Sequence, residues 1–211
     1  MSHEIVLLIA TKNQGKIKEI SEALSDLDCT IKSLNDFPDI EPPEETGSTF
    51  FQNALLKTKY YAEKTGLLSL ADDSGLMVDA LGGQPGIYSS RFAGKKATDE
   101  DNIKKLLELM KGIPDEKRTA RFVCVIVCYH PSGHYIYSEG IWEGKIAFSP
   151  RGNLGFGYDP IFLVKEFNFE KTAAELPLEV KNKLSHRGKA LRDLKNKLLE
   201  FIKNFYNTSQ K

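Results

Sequence analysis

The chain has 211 residues, of which 41% are hydrophobic and 27% are charged, and its 29 basic residues balance 29 acidic ones. This composition is typical of a soluble globular fold, and zero net charge disfavours a protein whose main ligand is the phosphate backbone of nucleic acid. No apolar run approaches the ~20 residues of a membrane helix, and MSHEIV lacks the pattern of a signal peptide. We therefore expect no nucleic-acid partner and no membrane association.

The cysteines indicate a reducing compartment. Cys124 and Cys128 lie in one strand-like run, and four strand steps span roughly 13 Å, which is too far for a disulfide between them. An odd set of three cysteines, the third being Cys29, is typical of unpaired thiols. We expect a cytoplasmic protein.

The chain opens with a strand, a polar loop and a helix. EIVLLIA at 4–10 is typical of a buried strand, and TKNQGK at 11–16 follows as a loop. The next segment has an apolar stripe with helical spacing at Ile17, Ile20, Leu24 and Leu27. A second strand is predicted near Thr30–Leu34.

A second helix follows an acidic, proline-rich loop at 36–48. Thr49 and Gln52 fit a capping box, with the hydroxyl at the N-cap and Gln at the third helical position. This helix should end near Gly66. LLSLA is then a strand that we expect to end at Asp72 and Asp73.

The remainder mixes a long loop, a hairpin and helices. GGQPGIYSSRFAGKKAT is a long loop of the kind that often has a function, and Thr98 with Asp101 caps the helix after it. The runs 119–129 and 134–141 flank the turn HPSG and predict an antiparallel hairpin. GFGYDP leads into another strand, and two helices separated by SHRG end the chain. Together these elements predict an α/β fold with a mixed sheet.

TKNQGK lies where a helix begins, a position that favours phosphate because of its unpaired N–H groups and the helix dipole. Thr11 and Asn13 can donate hydrogen bonds, and Lys16 adds a positive charge. The segment is not a Walker A loop, because Ile17 stands where Ser or Thr is required. An ordinary capped loop is the alternative interpretation.

Acidic residues occur on both sides of the second predicted helix. Asp72 and Asp73 in LADDSGL suit either a turn, since Asp, Ser and Gly favour turns, or a pair that holds a divalent cation or activates water. Glu45 lies in the acidic loop, where the simpler alternative is a solvated acid. Lys57 lies off the apolar stripe of its helix, where a surface lysine is the simpler reading.

Two later motifs suit a planar, polar ligand. Phe156 lies between glycines that let a flat ring approach the backbone, although a turn with the ring packed beneath it is the simpler interpretation of this motif alone. His186 and Arg187 follow Ser185 at a helix start, where basic residues are unfavourable. Their presence indicates an anionic or carbonyl-rich ligand, with a capped surface helix as the alternative interpretation. His130 and His134 lack a convincing fourth zinc ligand.

Five blocks in order closely resemble the inosine triphosphate pyrophosphatase family, also called non-standard purine NTP pyrophosphatases or dITP/XTP diphosphatases. The blocks are IATKNQGKIKEI, EETGSTFFQNALLK, LADDSGLMVDALGGQPGIYSSRFAG, GNLGFGYDPIF and LSHRGKAL. The resemblance implies a single domain over residues 1–211, with an elongated mixed sheet flanked by helices and two lobes around a central cleft. It also implies a homodimer that hydrolyses ITP, dITP and XTP to the monophosphate and pyrophosphate with Mg²⁺, which cleanses the nucleotide pool.

The same resemblance assigns roles to individual residues. Asp73 is the expected general base, and the expected metal ligands are Glu45, Asp73 and Asp72. Contacts to substrate are expected from Thr11, Lys12, Asn13, Gln14, Gly15, Lys16, Lys57, Ser74, Phe156, Gly157, Tyr158, Asp159, Lys181, His186 and Arg187. The first six of these and Lys57 would hold the triphosphate, Phe156 would stack on the base, and the last three would reach the base and its 6-oxo group. Arg91 is a further contact from the 82–94 loop.

Two departures from the family pattern and two alternatives accompany this hypothesis. Gln52 stands where the family often has Glu, and Asn153-Leu154 interrupt a stretch that is commonly Gly-rich. The same chemistry on other nucleotides, as in Maf-like pyrophosphatases, is one alternative, which the SHRG block disfavours. A catalytically silent nucleotide-binding module is the other, and it would not require Asp72, Asp73 and Glu45.

Overall fold

A computed structural model describes residues 5–206 of the chain. Its strands are β1 Val6–Ile9, β2 Thr30–Ser33, β3 Leu68–Val78, β4 Thr119–Tyr129, β5 Tyr135–Ile146 and β6 Phe162–Val164. Its α-helices are α1 Gln14–Ala23, α2 Phe50–Thr65, α3 Asp99–Leu109, α4 Leu178–Leu184 and α5 His186–Tyr206. Short 3-10 turns fill much of the long loop between β3 and α3.

The strands form one six-stranded sheet in the order β2-β1-β3-β4-β5-β6. Strand β1 is parallel to both of its neighbours, with Val6 opposite Thr30 on one side and Leu7 opposite Leu68 on the other. Strand β6 is antiparallel to β5, with Ile146 opposite Phe162. The sheet is therefore mixed, and the predicted α/β class is confirmed.

Strand β3 differs from its predicted course. It does not end at the two acids but continues without interruption through Asp72, Asp73, Ser74 and Gly75 to Val78. The turn interpretation of this stretch is therefore wrong, although its residues favour turns in isolation. The reason is tertiary: nine of the eleven residues of β3 are buried, so pairing and packing outweigh local turn preference.

Helix α2 begins and ends where its sequence signals predict. Thr49 is the N-cap and accepts a hydrogen bond from the Gln52 amide, and Gly66 ends the helix in the left-handed conformation at φ 69°. The prediction of a capping box is correct for Thr49 but not for Gln52. The Gln52 side chain accepts from the amide of Ser48 at 2.7 Å, one residue before the N-cap, and not from the amide of Thr49.

The chain divides into two compact units. Within residues 5–206, the first unit contains the segment up to Asp73, Val125–Glu139 and the segment from Ala190, and the second contains Ser74–Cys124 and Gly140–Lys189. One core cluster in the first unit includes the buried residues Leu8, Ala10, Leu34, Tyr61 and Ala71. The larger core cluster of the second unit surrounds Trp142, Phe122, Phe162, Leu106 and Leu76, all of which are buried.

Within residues 5–206, no helix has both the length and the apolar character that a membrane crossing requires. The three cysteines all carry unbridged thiols.

Candidate functional site

The start of α1 places Lys16 beside an acid of β3. Asn13 is the N-cap, and its side-chain oxygen accepts a hydrogen bond from the Lys16 amide at 3.1 Å. Thr11 supports this turn, since its hydroxyl accepts from the Asn13 amide at 3.2 Å. The Lys16 ammonium lies 2.9 Å from the Asp72 carboxylate, which is almost fully buried. The TKNQGK loop is therefore a capped helix start that also carries a positive charge to β3.

Lys57 lies at the centre of the acidic cluster of the first unit. Its ammonium donates to the Asp72 carbonyl oxygen at 2.8 Å and lies 3.4 Å from both the Asp73 and Glu45 carboxylates. Only 14% of its side chain is exposed. The surface-lysine interpretation is therefore wrong, because three acidic residues that are distant in sequence surround this side chain.

The charges of this cluster shift two pKa values. Burial raises the pKa of the Asp73 carboxyl, an effect that Lys57 opposes and the negative charge of Glu45 reinforces. Burial alone would lower the pKa of the Lys57 ammonium, but the charges of Asp73, Asp72 and Glu45 outweigh it, so that pKa lies above its usual value. A carboxylate with a raised pKa is a stronger base towards water than an ordinary aspartate.

The strand geometry explains how two adjacent acids coexist. Successive side chains of a β-strand point to opposite faces, so Asp72 and Asp73 are directed apart within β3. Each then contacts a different ammonium group, Asp72 that of Lys16 and Asp73 that of Lys57. The repulsion between the two carboxylates is thus offset by the fold as well as by any bound cation.

Asn53 is part of this cluster and had no assigned role in the sequence. It is fully buried on α2, where its amide nitrogen donates to Asp73 at 3.3 Å and its oxygen accepts from the Gly47 amide at 2.8 Å. One side chain thus fixes both Asp73 and the loop that carries Glu45. The signal was present in the quoted FFQNALLK block, where an amide interrupts a buried helix face.

We expect Asn53→Ala to lower the free energy of unfolding by about 1–3 kcal/mol, because the half-buried Gly47 amide and the buried Asp73 carboxylate each lose a hydrogen-bond partner. Urea denaturation measures this change. Lys59→Ala, on an exposed position of the same helix, is the control and should shift stability little. Equal stability of the two variants would show that the Asn53 bonds contribute nothing net.

The acidic cluster has the donor chemistry that Mg²⁺ prefers. Mg²⁺ binds carboxylate oxygens, and the ammonium of Lys57 already lies where the negative charges of Glu45 and Asp73 converge, so the local potential favours a cation. Among residues 5–206, however, no three His, Cys, Asp or Glu side chains approach one another as a ready metal-ligand group. The residues thus fit the ion in charge and chemistry, with lysine as the present counter-ion.

The second unit holds a different cluster around Phe156. The Lys181 ammonium lies 2.6 Å from the Asp159 carboxylate, and both side chains are at most 5% exposed. The same carboxylate accepts from the Phe156 amide at 3.0 Å. Lys181 and Arg187 lie over the Phe156 ring, 4.6 and 5.6 Å from its centre, within the range of a cation–π contact.

The SHRG segment is a helix boundary with its side chains directed inward. Ser185 ends α4 and caps α5, since its hydroxyl accepts from the Gly188 amide at 3.1 Å. Gly188 is required there, because a Cβ at this position would overlap the Asn182 carbonyl oxygen. Arg187 donates to the Ser74 hydroxyl at 3.3 Å, so these two predicted site residues are brought together.

His186 is held by aromatic side chains. Its ring stacks on Phe122 with centroids 4.7 Å apart and lies parallel to Trp142 at 6.4 Å. Only 5% of His186 is exposed. The structure thus fixes the plane of this ring within the core of the second unit.

Two other residues predicted to contact substrate form hydrogen bonds within the protein. The Tyr158 hydroxyl donates to the Ser89 carbonyl oxygen at 2.8 Å, and the Gly157 amide donates to Asp99 at 2.7 Å. Lys12 and Gln14 are exposed.

The two histidines of the hairpin turn contact a serine. The Nδ1 atoms of His130 and His134 lie 2.7 and 3.1 Å from the Ser132 hydroxyl oxygen.

The sequence and fold match known proteins over nearly the whole chain. The sequence profile of the Ham1 family matches residues 7–197. A dITP/XTP pyrophosphatase of Geobacter sulfurreducens is 52% identical over 192 residues, which cover 91% of this chain and 96% of that protein. A dITP/XTP pyrophosphatase of Bacillus cereus is 47% identical over 198 residues, which cover 93% of this chain and 96% of that protein.

Solved structures agree. A HAM1 protein from Coxiella burnetii superimposes with a TM-score of 0.85 at 44% identity, covering 93% of this chain and 99% of that one. A nucleoside-triphosphatase, dITP/XTP pyrophosphatase, from Mycobacterium abscessus gives a TM-score of 0.75 at 43% identity, covering 90% and 98%. A family profile that matches residues 7–197, with relatives 47–52% identical over 91–93% of the chain, shows that the protein belongs to the Ham1 family.

Proposed function

We propose that this protein is a nucleoside triphosphate pyrophosphatase that converts ITP, dITP and XTP to the monophosphate and pyrophosphate, and so removes non-standard purines from the nucleotide pool. Relatives named dITP/XTP pyrophosphatases share about half of their residues with it over almost their full length. We further propose that the enzyme uses Mg²⁺, acts as a homodimer and resides in the cytoplasm, in line with the family resemblance and the unbridged thiols.

The observation that carries the proposal is the acid–lysine cluster of the first unit. It combines a buried carboxylate, Asp73, with two lysines that can face phosphate oxygens, Lys16 and Lys57. A silent binding module needs the lysines but gains nothing from a buried acid with a raised pKa.

Asp73 is the proposed general base. Its carboxylate takes a proton from the water that attacks the α-phosphorus. Asn53 holds one carboxylate oxygen through its amide nitrogen. The carboxylate is therefore oriented before substrate arrives.

Cleavage between the α- and β-phosphates places negative charge on the departing pyrophosphate. Lys16 and Lys57 supply positive charge that stabilises this group. Glu45 and Asp73, whose carboxylates both lie 3.4 Å from the Lys57 ammonium, would hold Mg²⁺, and Asp72 would support the ion through water. When bound, the ion would neutralise phosphate charge as a Lewis acid.

The cluster of the second unit suits the purine base. Phe156 offers a ring face for stacking, and Lys181 and Arg187 offer N–H donors near it. Hypoxanthine and xanthine present an acceptor oxygen at position 6, whereas adenine presents an amino group there. A buried donor left unpaired against adenine would cost about 1–3 kcal/mol, which selects for 6-oxo purines.

The proposal is tested by pyrophosphate release from ITP, dITP, XTP, GTP, ATP and TTP, each with Mg²⁺ and with EDTA. We expect fast release from the first three, far slower release from GTP, ATP and TTP, and loss of activity in EDTA. Release of single phosphate, or equal rates across the panel, would overturn the proposed reaction or its selectivity. Binding of ITP without any turnover would instead indicate the silent module.

A further inference from the structure

The tip of the GFGYDP loop (residues 155–160) is held by two carboxylates. The Phe156 amide donates to Asp159 at 3.0 Å, within the loop itself. The next amide, that of Gly157, donates to Asp99 at 2.7 Å, across 58 residues of sequence. Asp99 therefore fixes the backbone directly after the ring that we propose to stack on the base.

The bond from Gly157 to Asp99 is not a by-product of helix capping. Asp99 is the first residue of α3, but the cap itself is formed by Thr98 and Asp101, which satisfy each other's backbone amides in a capping box. The Asp99 carboxylate is thus left to contact the loop. An acid in the first turn is also favoured by the helix dipole, so this position tolerates the charge.

The helix that carries Asp99 is anchored in the core. Helix α3 packs into the core of the second unit through Ile103 and Leu106, and its C-cap Met110 belongs to the same core cluster. Asn102 is a buried residue of α3, and its side-chain oxygen accepts a hydrogen bond from the Ala93 amide at 2.8 Å. This bond holds the loop that precedes α3. Burial, and then the charge of Asp99, raise the pKa of the Tyr158 phenol.

We propose that Asp99 is a positioning residue for substrate recognition, which holds the Gly157 amide and thereby keeps the Phe156 ring beneath Lys181 and Arg187. This inference rests on the proposed function, because it concerns how the base is held. Loss of the bond should weaken nucleotide binding and leave the chemical step unchanged, since Asp99 belongs neither to the acid–lysine cluster nor to the groups that touch the base.

The test compares Asp99→Ala with Asp99→Asn and with Glu100→Ala, an exposed acid at the next position of the same helix turn. For Asp99→Ala we expect KM for dITP and XTP to rise about three- to tenfold, the range that one hydrogen bond supports, with kcat within twofold of the unmodified enzyme. Asp99→Asn retains an acceptor oxygen and should restore most of the affinity. Glu100→Ala should leave KM unchanged.

A second readout is independent of turnover. Amide hydrogen exchange of Gly157, followed by NMR in the nucleotide-free protein, should accelerate in Asp99→Ala and not in Glu100→Ala. If Asp99→Ala does not fold, Asp99→Ser replaces it, since serine keeps a small polar side chain at this exposed first position of α3 and removes the carboxylate that accepts from Gly157.

The outcomes separate this inference from the proposed function. Unchanged Gly157 exchange in Asp99→Ala, or a KM equal to that of Glu100→Ala, would overturn the positioning role in an active enzyme. Absence of turnover in the unmodified protein would instead refute the proposed function, while Gly157 exchange would still decide whether Asp99 holds the loop.

Discussion

Replacement of Asp73 by Asn is expected to lower kcat for dITP about a thousandfold at saturating Mg²⁺. The change removes the carboxylate that takes the proton from water, and general-base contributions lie between about 10² and 10⁴. The amide retains the shape of the side chain, so the contacts of Asn53 and Lys57 are only partly lost. Pyrophosphate release under single-turnover conditions measures the chemical step.

The same variant is expected to be at least as stable as the unmodified protein at pH 7 in EDTA. Because the folded-state pKa of Asp73 lies above its ordinary value of 3.8, the folded state binds this proton more tightly than the unfolded state. Ionisation of Asp73 therefore costs stability, and this cost grows as pH rises through the unfolded pKa and is complete above the folded pKa. The advantage of Asp73→Asn should vanish below about pH 4, where both states hold the proton. Urea denaturation at several pH values measures it.

Two comparisons make this prediction specific. Asp39→Asn, at an exposed acid of the loop before α2, should alter neither kcat nor stability. Asp72→Asn, assayed beside Asp73→Asn, decides which acid activates the water. If Asp72→Asn reduced kcat more than Asp73→Asn, the assignment of Asp73 as the base would be wrong.

Lys181→Met is expected to lower the free energy of unfolding by about 3–5 kcal/mol, since it leaves the Asp159 carboxylate buried without its ammonium partner. Both side chains are at most 5% exposed, so solvent cannot replace the lost charge. Methionine fills a volume similar to that of the lysine stem, so the loss is electrostatic rather than a cavity. Urea denaturation at pH 7 measures the effect.

Lys183→Met is the matched control, because it changes the same residue type on an exposed position of α4. It should shift stability by less than about 0.5 kcal/mol. Adding Asp159→Asn to Lys181→Met removes the buried charge and should recover much of the loss. A Lys181→Met protein as stable as the Lys183→Met control would show that the buried pair contributes no net stability.

The fold was largely predictable because its signals are local. The Thr49 cap and Gly66 bound α2, and the box of Thr98 with Asp101 begins α3, as predicted. The helix break at Ser185 also lies where the SHRG block indicates. The course of β3 through Asp72-Asp73 was not predictable, because the local preference of these residues for a turn is overridden by burial on the sheet.

The candidate site was likewise predictable from the sequence only in part. The order of five blocks identifies the family, and residue type alone nominates carboxylates for a metal and an aromatic ring for stacking. What the sequence by itself determined is therefore the set of chemical groups and the family to which the chain belongs.

Only the tertiary structure decided which groups meet. It separated Asp72 and Asp73 onto different lysines, placed Lys57 among acids from distant segments, and brought Asn53 and Asp99 into contact with functional segments. These pairings depend on strand alternation and on packing between segments far apart in the chain, and on the loss of solvent that makes each charge require a partner. Spacing along the sequence encodes none of these distances directly, so the roles of Asn53 and Asp99 emerge only from the folded chain.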